Sequence, residues 1–265
     1  MLRSVVHLSP RYHELSLTPP DASEIRALLL DIEGTTTPID YVFKTLFPFA
    51  STRAEEFLRR HWDNAEIKEP VEDLRRTWSG AASAGAPAWI ESTPNEKLSS
   101  VAAYVRWLIA RDSKITPLKT LQGKIWEEGF LQGALKGEVY SDVPVAFARW
   151  KKHGKRIAIF SSGSVLAQNL LFAHSTAGDL SNFLEAYFDT TTGPKRETAT
   201  YRKIAALLKL VPKEILFVSD VAEELDAAQT AGMNIAHSLR PGISPLADAR
   251  HFAIQNFHEL FPAED

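Results

Sequence analysis

The stretch Leu28-Leu29-Leu30-Asp31-Ile32-Glu33-Gly34-Thr35-Thr36-Thr37 joins a short apolar run to two carboxylates, a glycine and three threonines. An apolar run of this length suits a buried strand, and ligands of open α/β sheets bind in the crevice beyond the carboxyl ends of such strands. Strand alternation puts Asp31 and Glu33 on one side and Ile32 on the other. Gly34 then allows a sharp turn. Paired in this way, an aspartate can act as a nucleophile beside an acid–base carboxylate, with a metal ion between the charges. A strand running into a polar turn or a helix cap would read the same, so the chemistry needs partners elsewhere.

Two further strand ends supply them. Arg156-Ile157-Ala158-Ile159-Phe160 runs into Ser161-Ser162-Gly163-Ser164, and Glu214-Ile215-Leu216-Phe217-Val218 runs into Ser219-Asp220, followed by Glu223 and Glu224. A serine turn entering a helix offers hydroxyls and unpaired N–H groups to a phosphate. Asp220 offers a hard oxygen ligand for Mg²⁺. Lys195, in Gly193-Pro194-Lys195, is the candidate cation to offset phosphate charge. Each has a plain structural alternative: a serine helix cap, acids favoured at a helix start, a surface lysine. The order carboxylate, hydroxyl, lysine, carboxylate, three of them at strand ends, favours the joint chemical reading.

The elements that would hold these groups alternate. Arg26–Leu30, Arg156–Phe160, Glu214–Val218 and Met233–His237 read as strands. Pro144–His153, closed by Gly154, Val165–Ala173, Tyr201–Leu208 and Glu223–Ala231 read as helices. Near-continuous apolar strands separated by helices predict an α/β fold with a parallel sheet covered on both faces. Between Ile39 and Gly137 the pattern is helical throughout. One helix is predicted to start near Thr52, and another at Thr93-Pro94-Asn95-Glu96, a capping-box sequence ahead of the stripe Leu98, Val101, Ala102, Val105, Leu108 and Ile109. Ser79–Pro87 reads as a small-residue loop. A helical insertion whose two ends join just beyond the carboxylate strand reads as a lid. The boundaries expected are 1–39 and 137–265 for the core and 40–136 for the insert.

Composition narrows the classes. The chain has 265 residues, 45% hydrophobic and 24% charged, with a formal net charge of −3 and no cysteine. Thiolate catalysis, disulfides and cysteine-ligated metals are excluded, and the charge gives no sign of a nucleic-acid or anionic-membrane partner. No apolar run is long enough to span a bilayer. Met1–Leu17 lacks the apolar centre of a signal peptide, so a soluble, cytoplasmic protein is expected. The eight histidines show no paired metal-ligand spacing on a helix. Lys151–Arg156 reads as cations offsetting a helix C-terminus.

With these motifs in place, the chain resembles the haloacid-dehalogenase superfamily of aspartate-nucleophile phosphatases. Within it, the chain is similar to the enolase-phosphatases of methionine salvage, also called acireductone synthases. Asp-Ile-Glu-Gly-Thr-Thr, with Glu33 where the wider superfamily has a second aspartate, is that family's opening. Phe47-Pro48, Leu121-Gln122-Gly123 with Trp126, Ser161-Ser162-Gly163-Ser164-Val165 with Gln168, Leu171-Phe172 with His174-Ser175, Phe188-Asp189-Thr190 and Tyr201-Arg202-Lys203-Ile204 also match, over roughly Leu29 to Gly242.

The resemblance implies a Rossmann-like parallel-sheet core of the haloacid-dehalogenase type with an inserted helical cap. It also implies a small-molecule phosphate ester as substrate: 2,3-diketo-5-methylthiopentyl-1-phosphate is enolised and then dephosphorylated to 1,2-dihydroxy-3-keto-5-methylthiopentene. Asp31 would be the nucleophile and Glu33 the acid–base group. Ser161, Ser162 and Lys195 would bind the phosphoryl oxygens. Asp31, Asp220 and the residue-33 position would hold one Mg²⁺ per subunit, Glu33 by side chain or by carbonyl. Glu224 would orient Asp220 or Lys195, or simply favour a helix start. A monomer is implied by resemblance alone. Phe43, Phe47, Trp89 and Trp126 are aromatic candidates for the methylthio tail or for the core. The alternatives are a general phosphatase on the same scaffold and an inactive binding module; Glu33 argues against a dehalogenase.

Overall fold

The computed structural model describes residues 19–81, 85–241 and 250–261. The leader expectation for Met1–Leu17, residues 82–84 of the small-residue loop, and Gly242 lie outside the described residues.

Strand β1 (Ala27–Leu30) is the hub of the fold. It pairs in parallel with β2 (Arg156–Phe160) on one side and β4 (Ile215–Ser219) on the other, with Leu30 opposite Ile159 and Val218. β3 (Ala186–Phe188), β5 (Asn234–Ser238) and β6 (Ala253–Ile254) complete a six-stranded parallel sheet in the order β3-β2-β1-β4-β5-β6. The shared register brings the carboxyl ends of β2, β1 and β4 to one edge, and Asp31 N–H continues the ladder to Val218 O at 3.0 Å.

Alternation sorts the strand residues onto two faces. Leu28, Leu30, Ile32, Ile159 and Val218 join the larger apolar cluster, which also takes in the inserted helices. Ala27, Leu29, Phe160 and Phe217 join the second, with α8 (Thr198–Leu207) and α9 (Ala222–Thr230). Both faces are covered, which is why these strands read as unbroken apolar runs. The edge strands β3 and β6, three and two residues long, fall below the span over which alternation is visible.

Between β1 and β2 every regular element among the described residues is helical. α1 (Ile39–Tyr41) passes through one π-helical turn, Val42–Leu46, directly into α2 (Phe47–His61). The expected start near Thr52 is therefore wrong: Thr52 sits mid-helix, its hydroxyl donating to Pro48 O at 2.8 Å. The wide turn, with Phe47 N–H reaching Val42 O, lets the chain continue helically past Pro48, which has no N–H of its own. α3 (Ala65–Ala81) extends into the segment expected to be a loop from Ser79.

α4 (Pro94–Ile109) begins as expected: Thr93 Oγ1 accepts from Glu96 N–H at 3.3 Å. The Glu96 carboxylate takes the Thr93 hydroxyl at 2.8 Å. The predicted α4 stripe is buried. α5 (Thr116–Leu131) is tied to the π turn by Trp126 Nε1–H donating to Leu46 O at 2.9 Å. The insert rejoins the core at the carboxylate loop, where Tyr140 N–H meets Thr36 O at 3.0 Å. α6 (Asp142–Lys152) and α7 (Val165–Ala173) flank β2. No helix among the described residues is long and apolar enough to cross a membrane.

Candidate active site

Asp31 is 2% exposed at the end of β1. Its Oδ1 accepts from its neighbour's N–H, Ile32, at 2.7 Å and from Lys195 Nζ at 2.8 Å. Its Oδ2 lies 3.2 Å from Ser219 Oγ. Lys195 also reaches Glu224 Oε2 at 2.7 Å, and Glu224 lies 3.1 Å from Ser219 Oγ, closing a ring of four side chains. The single Ser219 proton serves one carboxylate at a time, and a proton on Glu224 would serve the other contact.

Burial alone would lower the Lys195 pKa, but the carboxylates of Asp31 and Glu224 reverse that and hold it above the ordinary lysine value. The Lys195 loop is pinned to α8: Tyr201 OH donates to Lys195 O at 2.6 Å, and Thr200 Oγ1 to Pro194 O at 2.8 Å. Lys195 is thus a buried, doubly paired cation, and Glu224 contacts Lys195 rather than Asp220.

Burial, and then the charge of Asp31, push Asp220 up to about 7 and Glu224 likewise to about 7; Lys195 opposes both. Glu33 is raised by burial and by Asp31, with Lys195 and Lys114 opposing. Its Oε2 accepts from Ser161 Oγ at 3.2 Å. The carboxylate loop turns at Gly34 (φ 66), where a Cβ would stand 2.3 Å from Asp220 Oδ2. Glycine is required there on both counts.

The serine turn divides its labour. Ser164 caps α7 by accepting from Ala167 N–H at 3.3 Å. Ser161 takes Gly163 N–H at 3.1 Å and donates to Glu33. Ser162 faces the cavity that also contains Asp31, Lys195 and Asp220. The capping alternative therefore falls to Ser164 and leaves the other two free of it.

Two cavities meet at this edge. One, about 650 Å³ and open to solvent, is lined by Asp31, Glu33, Ser162, Lys195, Asp220 and Glu224. The other is walled by apolar Ile32, Leu46, Phe47, Ile109, Trp126 and Leu171. Gln122 lines it while 5% exposed. Of the aromatic candidates, Phe47 and Trp126 line the apolar cavity and Phe43 the polar one. Trp89 lines neither; its ring packs 5.9 Å from Tyr104 and 6.2 Å from Trp78.

Among the described residues, no three His, Cys, Asp or Glu side chains form a ready metal cage. The donor set nevertheless suits a hard cation. Asp31 and Asp220 are carboxylates on one cavity, and Asp220 is raised first by burial and then by the charge of Asp31. Mg²⁺ commonly takes one or two carboxylates, with water and phosphate oxygens filling its shell.

Several supporting groups gave no signal in the sequence pattern. Arg240 donates to Thr35 O at 2.7 Å and pairs with buried Asp142 at 2.7 Å. Ser238 Oγ donates to Gly34 O at 3.0 Å, and His237 Nε2 lies 3.1 Å from Asp220 O. Ser219 was visible as a strand end, but its bridging position depends on the sheet order. Lys114 and Gln122 come from the insert.

Comparison with known proteins agrees with this arrangement. Residues 25–232 match the family model described as haloacid dehalogenase-like hydrolase. Enolase-phosphatase E1 of Synechococcus elongatus is 50% identical over 89% of this chain and 98% of its own. Enolase-phosphatase E1 of Drosophila melanogaster is 47% identical over 84% of this chain and 86% of its own. The crystal structure of UTR4 protein from Saccharomyces cerevisiae superposes with a TM-score of 0.72 at 31% identity, over 89% of this chain and 100% of that one. The chain accordingly belongs to the haloacid dehalogenase-like hydrolases and, within them, to the enolase-phosphatase E1 family.

Proposed function

We propose that this protein is the enolase-phosphatase of methionine salvage, converting 2,3-diketo-5-methylthiopentyl-1-phosphate to 1,2-dihydroxy-3-keto-5-methylthiopentene and phosphate. One observation carries the proposal. Asp31, Glu33, Ser162, Lys195 and Asp220, from four separate stretches of chain, line one polar cavity that abuts an apolar one. The polar cavity suits a phosphate and the apolar one a methylthioalkyl tail.

Asp31, Asp220 and the residue-33 position would hold Mg²⁺, which when bound shields phosphoryl charge from the attacking carboxylate and polarises a substrate oxygen. Glu33 first accepts the proton from carbon 1. It then gives that proton to the leaving oxygen as Asp31 attacks phosphorus, forming an aspartyl-phosphate and breaking the P–O bond to the enol. Glu33, again a carboxylate, takes a proton from the water that attacks phosphorus, which frees Asp31 and releases phosphate. Lys195 and the hydroxyls of Ser161 and Ser162 offset charge on the phosphoryl oxygens. Glu224 and Ser219 hold Lys195 and Asp31 in place. The helices between residues 40 and 136 serve as the cap over this site. We further propose a cytoplasmic monomer with one Mg²⁺ per chain.

The test is turnover of the diketone phosphate, followed by absorbance of the enol and by phosphate release. Asp31→Asn is expected to abolish phosphate release, and Glu33→Gln to suppress solvent-deuterium exchange at carbon 1. Intact release in Asp31→Asn overturns the nucleophile assignment. Undiminished exchange in Glu33→Gln removes Glu33 from the enolisation. Hydrolysis of aryl phosphates with no action on the diketone favours a general phosphatase instead.

A further inference from the structure

Lys114 lies in the loop between α4 and α5, where the two cavities adjoin. Five residues line both: Glu33, Val42, Phe47, Lys114 and Ser162; Lys114 is the one cation among them. Its ammonium is 2.5 Å from Asp112 Oδ1 and 5.7 Å from the centre of the Phe47 ring, with 53% of the side chain exposed. An exposed pair of that kind contributes little, so little holds the lysine where it is.

The backbone aims it. Beyond α4, Ser113 N–H returns to Leu108 O at 3.1 Å and Asp112 takes a left-handed conformation (φ 49). Aspartate tolerates that conformation better than most residues, and the turn sets Lys114 on the lining shared by the two cavities. Its charge is felt at Glu33 across the cavity. None of the steps assigned above uses it.

We infer that Lys114 is the electrophilic catalytic residue of the enolisation, recognising the carbonyl oxygen on carbon 2 of a phosphorylated α-diketone. The inference rests on the enolase-phosphatase reading. With phosphate in the polar cavity and the alkyl tail in the apolar one, the dicarbonyl unit must lie at their junction. There the C1–H bond breaks and its proton passes to the Glu33 carboxylate. The electron pair forms the C1=C2 bond, and the former carbonyl pair moves onto oxygen, facing the Lys114 ammonium. Lys114 hydrogen-bonds that oxygen, protonates it, and regains a proton from solvent. Gln122, on the wall of the apolar cavity, is placed to donate to the second carbonyl.

The experiment compares wild type, Lys114→Met and Lys114→Arg in the presence of Mg²⁺. One readout is deuterium exchange at carbon 1 of the diketone phosphate, and the other is hydrolysis of an aryl phosphate, which has no proton to remove. Loss of one donor to a developing oxyanion costs about 10²–10³ in rate. The ratio of exchange to aryl-phosphate hydrolysis is therefore expected to fall about a hundredfold in Lys114→Met and to recover in part in Lys114→Arg. A parallel fall in both activities, the mark of a structural role, overturns the inference, as does exchange within threefold of wild type. Wild-type protein that hydrolyses the aryl phosphate and exchanges no deuterium overturns the enolase reading itself, and this inference with it.

Discussion

Replacing Gly34 by alanine tests the site without altering any charged group. The added Cβ would lie 2.3 Å from Asp220 Oδ2 and 2.6 Å from its Cγ. Ordinary contact begins at about 3.5 Å, so the carboxylate must retreat by about 1 Å. The backbone also resists, because φ is 66 and a left-handed L-residue costs about 1–2 kcal/mol. A displacement of about 1 Å at a reacting group can cost about 10²-fold in rate.

Gly34→Ala is therefore expected to lower aryl-phosphate turnover about a hundredfold and to weaken Mg²⁺ binding at least about tenfold by calorimetric titration. The melting temperature should drop by about 2–8 °C. Gly133→Ala is the matched control: φ is 73 there and nothing stands within 4 Å of the added carbon. It should show a similar loss of stability with Mg²⁺ affinity and turnover kept. If Gly34→Ala retains wild-type Mg²⁺ affinity and rate, Asp220 is not a ligand and the geometric reasoning fails.

Lys195→Met leaves Asp31 and Glu224 buried without their shared cation, and should cost about 3–5 kcal/mol at pH 8 by denaturant unfolding. The cost should shrink at pH 5 as Glu224 takes up a proton; an unchanged unfolding midpoint would contradict the pairing. Asp220 and Glu224, both raised to about 7, favour the folded metal-free protein below about pH 4, and that contribution is lost as pH rises through 7. The metal-free protein should accordingly melt higher at pH 5 than at pH 8. Mg²⁺ affinity should weaken by up to about tenfold per unit as pH falls below 7, because the metal must displace the Asp220 proton; a flat affinity between pH 6 and 8 would refute this.

Much of the fold was legible because the middle residues of β1, β2 and β4 are buried on both faces, so those residues had to be apolar without interruption. β3 and β6 were missed because three residues at one edge of the sheet and two at the other are too few to leave a period to read. The start of α2 was misplaced because neither Pro38 nor Leu46 makes a side-chain cap that marks an entry. Asp31 and Ser161 were legible because each follows an apolar run by one step, and Asp220 because it follows one by two. Lys195 was found only as a charge the chemistry needed. Of its anchors, Tyr201 is six residues along the chain, whereas Asp31 and Glu224 are brought beside it by the sheet order. Arg240 and Asp142 lie 98 residues apart, and no local pattern relates them to the carboxylate loop they support.

The two proposed reactions make different physical demands, and the chain meets them with different elements. Phosphoryl transfer gains from groups fixed before substrate arrives. The residues assigned to it sit at rigid strand ends: Asp31 is held through both oxygens, and Ser219 is fully buried. Enolisation needs a donor that meets an oxygen whose position depends on how the flexible tail settles. The residue assigned to it is a half-exposed lysine on a loop of the insert, held by one weak pair. A fixed lysine at the junction would be positioned for one tail length only, whereas one held by a single weak, exposed pair can follow the dicarbonyl as the apolar cavity fills. On this account the sheet edge carries phosphoryl transfer and the Glu33 base, and the helices inserted after β1, whose two ends lie beside the loop that carries Glu33, supply the donor that enolisation adds.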